Sequence, residues 1–277
     1  MTTISDLRSS RELYVNLTLR ELRSKYKRSV LGWFWSLLNP LAIMGIFSLV
    51  FQFFLKVPVP VGDPSGLQFF AFFLLCGLLP YNFVSASLTG GMSALVANGN
   101  LVKKVWFPRE LLVAANTTSS GVGLLIELGV LLVALLVVGN MVLPWIPVAL
   151  VIVVLQVVFV LGLALVLSVL NVYFRDLEHL VGIALQVWFY ATPIIYPPSL
   201  VEEQLSASFS ADNADLLYTI YRLNPMNRFV EAYRSVFYDL TFPSAGTMVY
   251  LVVVAGASLA LGRWVFRKFE GRLAEEL

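Results

Sequence analysis

Hydrophobic and polar residues come in long blocks along this chain and do not alternate. A polar stretch of about thirty residues is followed by six apolar runs, roughly 30–55, 67–95, 111–138, 148–171, 180–196 and 246–266. Each is close to the ~20 residues that a helix needs to span a bilayer. The pattern predicts an all-α integral membrane protein with six transmembrane helices over 30–266, and an even number returns both ends to one side. Pro40 in the first run, and Pro80 with Gly90–Gly91 in the second, predict kinks or partial unwinding, with neighbouring helices satisfying the freed backbone groups.

Within the leading stretch, Val15, Leu19, Leu22 and Tyr26 recur at steps of four, three and four, which is one face of a helix. With arginines and lysines on its other sides, a helix over 1–29 is expected to lie in the membrane plane, half sunk in the headgroups. A solvated tail is the plainer alternative. The segment from 197 to 245 is too long for a turn and too apolar for a solvated loop, so short outer-face helices are expected there. Ser199 with Glu202 has the form of a capping box after Pro197–Pro198, and Asn224–Pro225 supplies a cap and a first-turn proline. The stripe Phe229, Tyr233, Val236, Phe237 and Leu240 then predicts a helix resting on or dipping into the outer leaflet. A small soluble cap is the competing picture.

Composition agrees with the blocks. The chain has 277 residues, 58% of them hydrophobic and 13% charged, too little polar surface to coat a soluble globule. The first apolar run is as long as a bilayer is thick and follows a charged stretch, which reads as a retained anchor and not a cleavable signal. Charge sets the direction. On the six-helix reading, fifteen Lys and Arg fall on one side, in the N-terminal stretch, in the loops around Lys103 and Arg175, and in the C-terminal end from Arg263, which includes the tail 267–277. Four, Lys56, Arg222, Arg228 and Arg234, fall on the other. The excess places both termini in the cytosol, with Trp33, Trp35 and Tyr196 as interfacial anchors.

Chemistry is sparse. No glycine is followed by lysine, so the phosphate-cradling loop of an ATPase is absent and the chain is not expected to hydrolyse ATP. One cysteine, Cys76, precludes an intrachain disulfide, and the lone His179 cannot build a multi-histidine metal site. Glu127 is the one ionisable residue deep in an apolar run, where a charge costs roughly 2.5–3.5 kcal/mol. It is either a pathway or gating residue or a helix–helix hydrogen bond. If the former, an ion-coupled secondary carrier is one possible function, although no inverted repeat supports it. Between the second and third runs, Asn98 to Glu110 predicts a compact helix facing the cytosol. Leu101, Val105 and Trp106 are too apolar for a free tip, so either a partner or the headgroups cover them.

Five stretches carry a resemblance: YKRSVLGWFWSLLNPL (Tyr26–Leu41), LVKKVWFPRE (Leu101–Glu110), NVYFRDLEHL (Asn171–Leu180), ATPIIYPPS (Ala191–Ser199) and LNPMNRFVEAYR (Leu223–Arg234). Together they resemble the permease subunit of bacterial type-two ABC exporters of lipid-linked polysaccharides, the O-antigen, teichoic acid and capsule group. The likeness runs over nearly the whole chain. It implies a homodimer in the bacterial inner membrane bound to two copies of a separate ATPase, which would hold the ATP and Mg; no cofactor is expected in this chain and no nucleic acid partner.

The resemblance also assigns roles. The coupling helix would span about 98–108, with Leu101, Val102, Lys103, Lys104, Val105 and Trp106 meeting the ATPase and Arg175, Asp176 and Glu178 transmitting motion at the next inner loop. The outer gate helices would lie within about 199–240. An aromatic conduit for sugars would draw on Phe51, Tyr81, Phe83, Trp188, Phe189 and Tyr190, since a flat ring stacks on the CH face of a sugar. Arg23, Lys25 and Arg28 could meet the diphosphate of a polyprenyl carrier, or only anchor to anionic lipid. A cell-wall galactan is the leading expectation for the glycan, on overall similarity alone. A type-two ABC permease for a small drug or lipid is the alternative within the same class.

Overall fold

The computed structural model describes residues 4–26, 34–54, 59–105 and 107–276, and among them the chain is helical with no strand. The first helix, α1 (Ile4–Tyr26), precedes α2 (Phe34–Phe47), which continues as a π-helical turn over Ser48–Phe54. Next come α3 (Phe70–Ala97), the six-residue α4 (Gly99–Lys104), α5 (Glu110–Val137), α6 (Ile146–Tyr173) and α7 (Leu177–Tyr190). Three short helices follow, α8 (Pro198–Ser208), α9 (Ala211–Arg222) and α10 (Pro225–Arg234), before α11 (Ala245–Phe269) and α12 (Leu273–Glu276).

Four of these are long and apolar enough to cross a membrane: Phe70–Ala97, Glu110–Val137, Leu143–Tyr173 and Ala245–Phe269. They match the second, third, fourth and sixth predicted runs. The fifth forms a shorter helix than expected, whereas the described part of the first, residues 34–54, is helical throughout. The α7 helix covers 14 residues, about 21 Å at 1.5 Å per residue, less than a ~30 Å hydrocarbon core. For α7 the reason is local, because Pro193 and Pro197–Pro198 cannot continue a helix.

The centre of the bundle is α3, the least apolar of the four long helices and the most buried. It packs between α5 and α6, while α11 lies on α6 and α1 and α2 lie against α5. In a membrane this order is sensible, since polar atoms find partners in protein and aliphatic ones can face lipid. The helix is continuous through Pro80 and Gly90–Gly91, so of the kink or partial unwinding expected there the unwinding is absent. The glycines are contact points, with Asn116 of α5 against Gly90 and Ala164 of α6 at 2.9 Å from where a Gly91 Cβ would stand. Beside Pro80, the buried Gln156 of α6 donates to the Pro80 carbonyl at 3.1 Å and accepts from the Tyr233 hydroxyl at 2.8 Å. One amide thus ties α3, α6 and α10 together.

The closest seam joins α6 to α11. A Cβ at Gly162 would collide with the Ser258 backbone, and one at Gly262 with the Gly162 carbonyl. Ser258 and Gly262 are four residues apart on one face of α11, the small-xxx-small spacing that lets two helix backbones touch. The Ser258 hydroxyl completes the seam by donating to the Phe159 carbonyl at 2.7 Å.

Three local expectations change. The α1 stripe is rotated: Leu17 is buried, Leu13 and Tyr14 pack on the core and Tyr14 Oη lies 2.6 Å from Thr118 Oγ1, whereas Val15 and Leu19 are exposed. The α8 helix starts at Pro198 with Pro197 as its cap residue, so Ser199 lies inside the first turn and caps nothing. Asn224 does cap α10, accepting from Met226 N at 3.0 Å ahead of Pro225. The stripe of Phe229, Tyr233, Val236 and Phe237 is fully buried against α3, α6 and α11 instead of resting on the outer leaflet.

Candidate coupling and pathway sites

At one end of the bundle, α4 hangs between α3 and α5. Asn98 makes the joint, its Nδ2 donating to the Ala94 carbonyl at 2.8 Å and its Oδ1 accepting from Arg20 Nη2 at 2.8 Å. The helix α1 is therefore fastened to the root of α4. Val102 is buried and pins α4 to the core, Leu101 is half-buried, and Lys103, Lys104 and Val105 are exposed. Of the predicted contact residues, Val102 is an anchor and the outward face is Lys103, Lys104 and Val105. Trp106 lies outside the described residues.

Behind α4 the chain's last turns form a support. Arg109 Nη1 donates to the Glu270 carbonyl, Arg263 reaches Glu110 at 3.7 Å, and α12 packs on α4 and α6 through the buried Leu273. The neighbouring α6–α7 corner exposes Arg175 and Asp176. Glu178 is different. It accepts from Ser93 Oγ at 2.8 Å and from Asn171 Nδ2 at 3.4 Å, and so locks the start of α7 to α3 and α6. Arg23 is exposed near the end of α1, while the Lys25 side chain and Arg28 lie outside the described residues.

The predicted conduit aromatics separate. Tyr81, Trp188, Phe189 and Tyr190 form one cluster, with Tyr81 meeting Phe189 edge to face at 5.2 Å and its hydroxyl donating to the Leu185 carbonyl. Phe51 stacks instead on Phe47 and Phe70, and Phe83 is buried against Gly121 on another side of α3. Tyr81 and Phe83 thus serve helix packing. The residue between them, Asn82, is partly exposed and begins a stripe with Ser85, Thr89 and Ser93, at helical spacing on the open side of α3. Gln186 is exposed at the middle of α7. Glu127 is half-buried within α5.

At the opposite end, Asn224 and Arg234 hold the short helices. Asn224 caps α10, accepts from Trp188 Nε1 at 2.8 Å, and donates to the Ala191 carbonyl and Thr192 Oγ1, both at 3.2 Å. Arg234 is buried, with its guanidinium 3.5 Å from the Phe73 ring centre, Nε donating to the Phe73 carbonyl and Nη2 to the Ile194 carbonyl at 2.8 Å. Burial lowers its pKa to about 10, which leaves it cationic at neutral pH. Counting Arg234 as an outer surface charge therefore missed its role as a pin. The available signal was its neighbours at helical spacing, Val230 four residues before and Phe237 three after, both apolar. Among the described residues, no three His, Cys, Asp or Glu come together as a metal would need.

This bundle, with its exposed short helix at one end and pinned helices at the other, has known relatives. The family of ABC-2 type transporters matches residues 12–238. The O-antigen export system permease protein RfbA of Myxococcus xanthus is 30% identical over 274 residues, covering 99% of this chain and 98% of that protein. A protein of the same name from Klebsiella pneumoniae is 30% identical over 272 residues, covering 96% and 95%. With most of its length inside the family's boundaries, this chain is a multi-pass membrane protein that belongs to the ABC-2 type transporter membrane family.

Proposed function

We propose that this chain is the transmembrane subunit of an ATP-driven exporter that moves a polyprenyl-diphosphate-linked polysaccharide, an O-antigen-like chain or a galactan, across a bacterial inner membrane. The observation that carries this reading is coverage: two O-antigen export permeases align with nearly every residue of the chain. The Lys and Arg excess on one side supports cytosolic termini.

The engine is a separate ABC ATPase in two copies, bound through α4. A six-residue helix can transmit force only if its root is stiff. Here Val102, the Asn98–Arg20 bond and the Arg109–Glu270 bond provide that stiffness, and Lys103, Lys104 and Val105 present a face to the partner. A second copy of the chain completes the transporter along α2 and α7. Leu180, Ile183, Val187 and Tyr190 are exposed on α7, and Ile46, Leu49 and Phe53 on α2 with its turn. Gln186 argues against lipid on the α7 side, because hydrocarbon would leave its amide unsatisfied. Asn82, Ser85 and Thr89 on α3 offer an amide and two hydroxyls along the same open side, a wall that a hydrated glycan can slide past.

The test is coupling. With the cognate ATPase in vesicles, the triple variant Lys103→Ala, Lys104→Ala, Val105→Ala should insert and melt like wild type. It should lose both stimulation of ATP hydrolysis and glycan export. Wild-type hydrolysis and export in that variant would overturn the α4 assignment.

A further inference from the structure

A cavity of about 220 Å³ lies between the α7–α8 turn, α9 and α10, lined by Pro193, Tyr218, Tyr221, Arg222, Arg228 and Glu231 among others. Nothing in the coupling or pathway arguments uses it. Its walls are built as a binding site. Tyr218 and Tyr221 sit with ring centres 6.2 Å apart and planes 21° from parallel, and the Arg222 guanidinium lies 5.8 Å over the Tyr218 ring. Arg228 Nη1 pairs with Glu231 Oε2 at 3.0 Å and packs towards Tyr250, whose hydroxyl donates to the Leu223 carbonyl. Three atoms of wall residues, Tyr221 Oη, Asn227 Oδ1 and Arg228 Nε, are buried with no hydrogen-bond partner among the described residues. One is a hydroxyl, one an acceptor and one a donor. Closed off behind the cavity wall, they are not reached from it, and a ligand meets instead the accessible phenol, guanidinium and carboxylate of Tyr218, Arg222 and Glu231, which together donate and accept.

Those walls discriminate between ligand classes. An acyl chain is excluded by two arginines, a carboxylate and an amide. A phosphate would find Arg222 but also the Glu231 carboxylate, and Arg228 is already committed to that carboxylate. A sugar ring fits both halves, since its CH face suits the tyrosines and its hydroxyls both donate and accept. Burial holds the Tyr218 and Tyr221 phenols above their ordinary range, so both remain neutral hydroxyls at physiological pH. The volume is below the ~300–1,000 Å³ of sites that enclose a drug-sized ligand, which suits one ring and not an oligomer.

We infer that the α9–α10 cavity is a saccharide subsite that takes one sugar ring at the outer face, filled during transport by the emerging glycan. The second half of that statement rests on the exporter reading above; the first does not. A subsite of this kind would hold the leading sugars and disfavour their return.

The experiment is saturation-transfer NMR on the purified full chain in nanodiscs, with methyl β-D-galactopyranoside, methyl α-D-mannopyranoside and methyl α-D-glucopyranoside as probes and inorganic phosphate as competitor. Wild type should transfer to at least one glycoside and phosphate should not displace it. Tyr218→Ala and Arg222→Gln, both on a short surface helix, should melt like wild type and weaken that glycoside about tenfold, the loss of one good stacking or charged contact. Tyr218→Phe keeps the ring and should retain binding. No transfer to any of the three, equal transfer in the variants, or displacement by phosphate would overturn the subsite. Export measured in parallel separates the two readings. Wild type that exports glycan but binds no glycoside sinks the subsite alone. Wild type that binds glycoside but exports nothing leaves the subsite and sinks the exporter.

Discussion

The α6–α11 seam and the outward face of α7 are both built from helices bearing glycine and aliphatic residues, yet one is closed and the other open. At the seam, Gly162 and Gly262 leave no room for a single added carbon, and Ser258 spends its hydroxyl on the facing helix. On α7, a Cβ added to Gly182 meets nothing within 4 Å, and Ile183 and Val187 beside it are more than half exposed. Glycine means close approach in one place and vacant space in the other. The seam belongs to the folded chain, whereas the α7 face is left for something outside it.

Breaking the closed side should have the largest effect. Gly162→Leu drives four carbons into the Ser258 backbone, which neither helix can relieve by changing a rotamer. The cost should exceed ~3 kcal/mol, the upper end of ordinary overpacking. The variant should be lost from the membrane fraction, or melt far below wild type by size-exclusion after heating. Near-normal melting would show that α6 and α11 slide freely and that the seam is not a fixed part of the subunit.

Much of this contrast was invisible in the sequence. Asn224–Pro225 could be read as a cap because its partner, Met226 N, is two residues away. Ser199 could not be judged locally, because Pro198 opened the helix one residue early. The α1 stripe misled for another reason: Val15 and Leu19 are apolar, but Tyr14 and Leu17 are the ones that meet α5, and periodicity alone does not say which of two apolar faces finds a partner. Pro80 and Gly90–Gly91 looked like breaks because local propensity disfavours them, and tertiary contact with Gln156, Asn116 and Ala164 decided otherwise. The aromatic conduit residues suffered the same limit. Tyr81, Asn82 and Phe83 are consecutive, so each points about 100° from the next, and only contacts reveal that the asparagine holds the open side.

The second prediction sharpens the open side. Ile183 on α7 and Val133 on α5 are about equally exposed, at 62% and 59%. Only the first lies on the face assigned to a second copy. The native Cys76 is buried, so single cysteines can be introduced without removing it. Oxidation in membranes should link chains carrying Ile183→Cys into a dimer and leave Val133→Cys monomeric. The reverse result would move the interface to α5.

The smallest effect carries the sharpest sign. In an isolated chain Gly182→Ala fills empty space, and helix propensity alone favours it by about 0.8–1.0 kcal/mol. If a second copy packs closely at that glycine, the same methyl group becomes an intrusion and the sign reverses in the assembled transporter. Melting should therefore rise slightly for Gly182→Ala in dilute detergent, where copies separate. It should fall, or export should slow, in membranes, where they meet. Gly162→Ala provides the internal reference, because its obstacle lies within the same chain and must destabilise in both conditions alike. Identical small gains for Gly182→Ala in detergent and in membranes would mean that lipid, and not protein, covers α7.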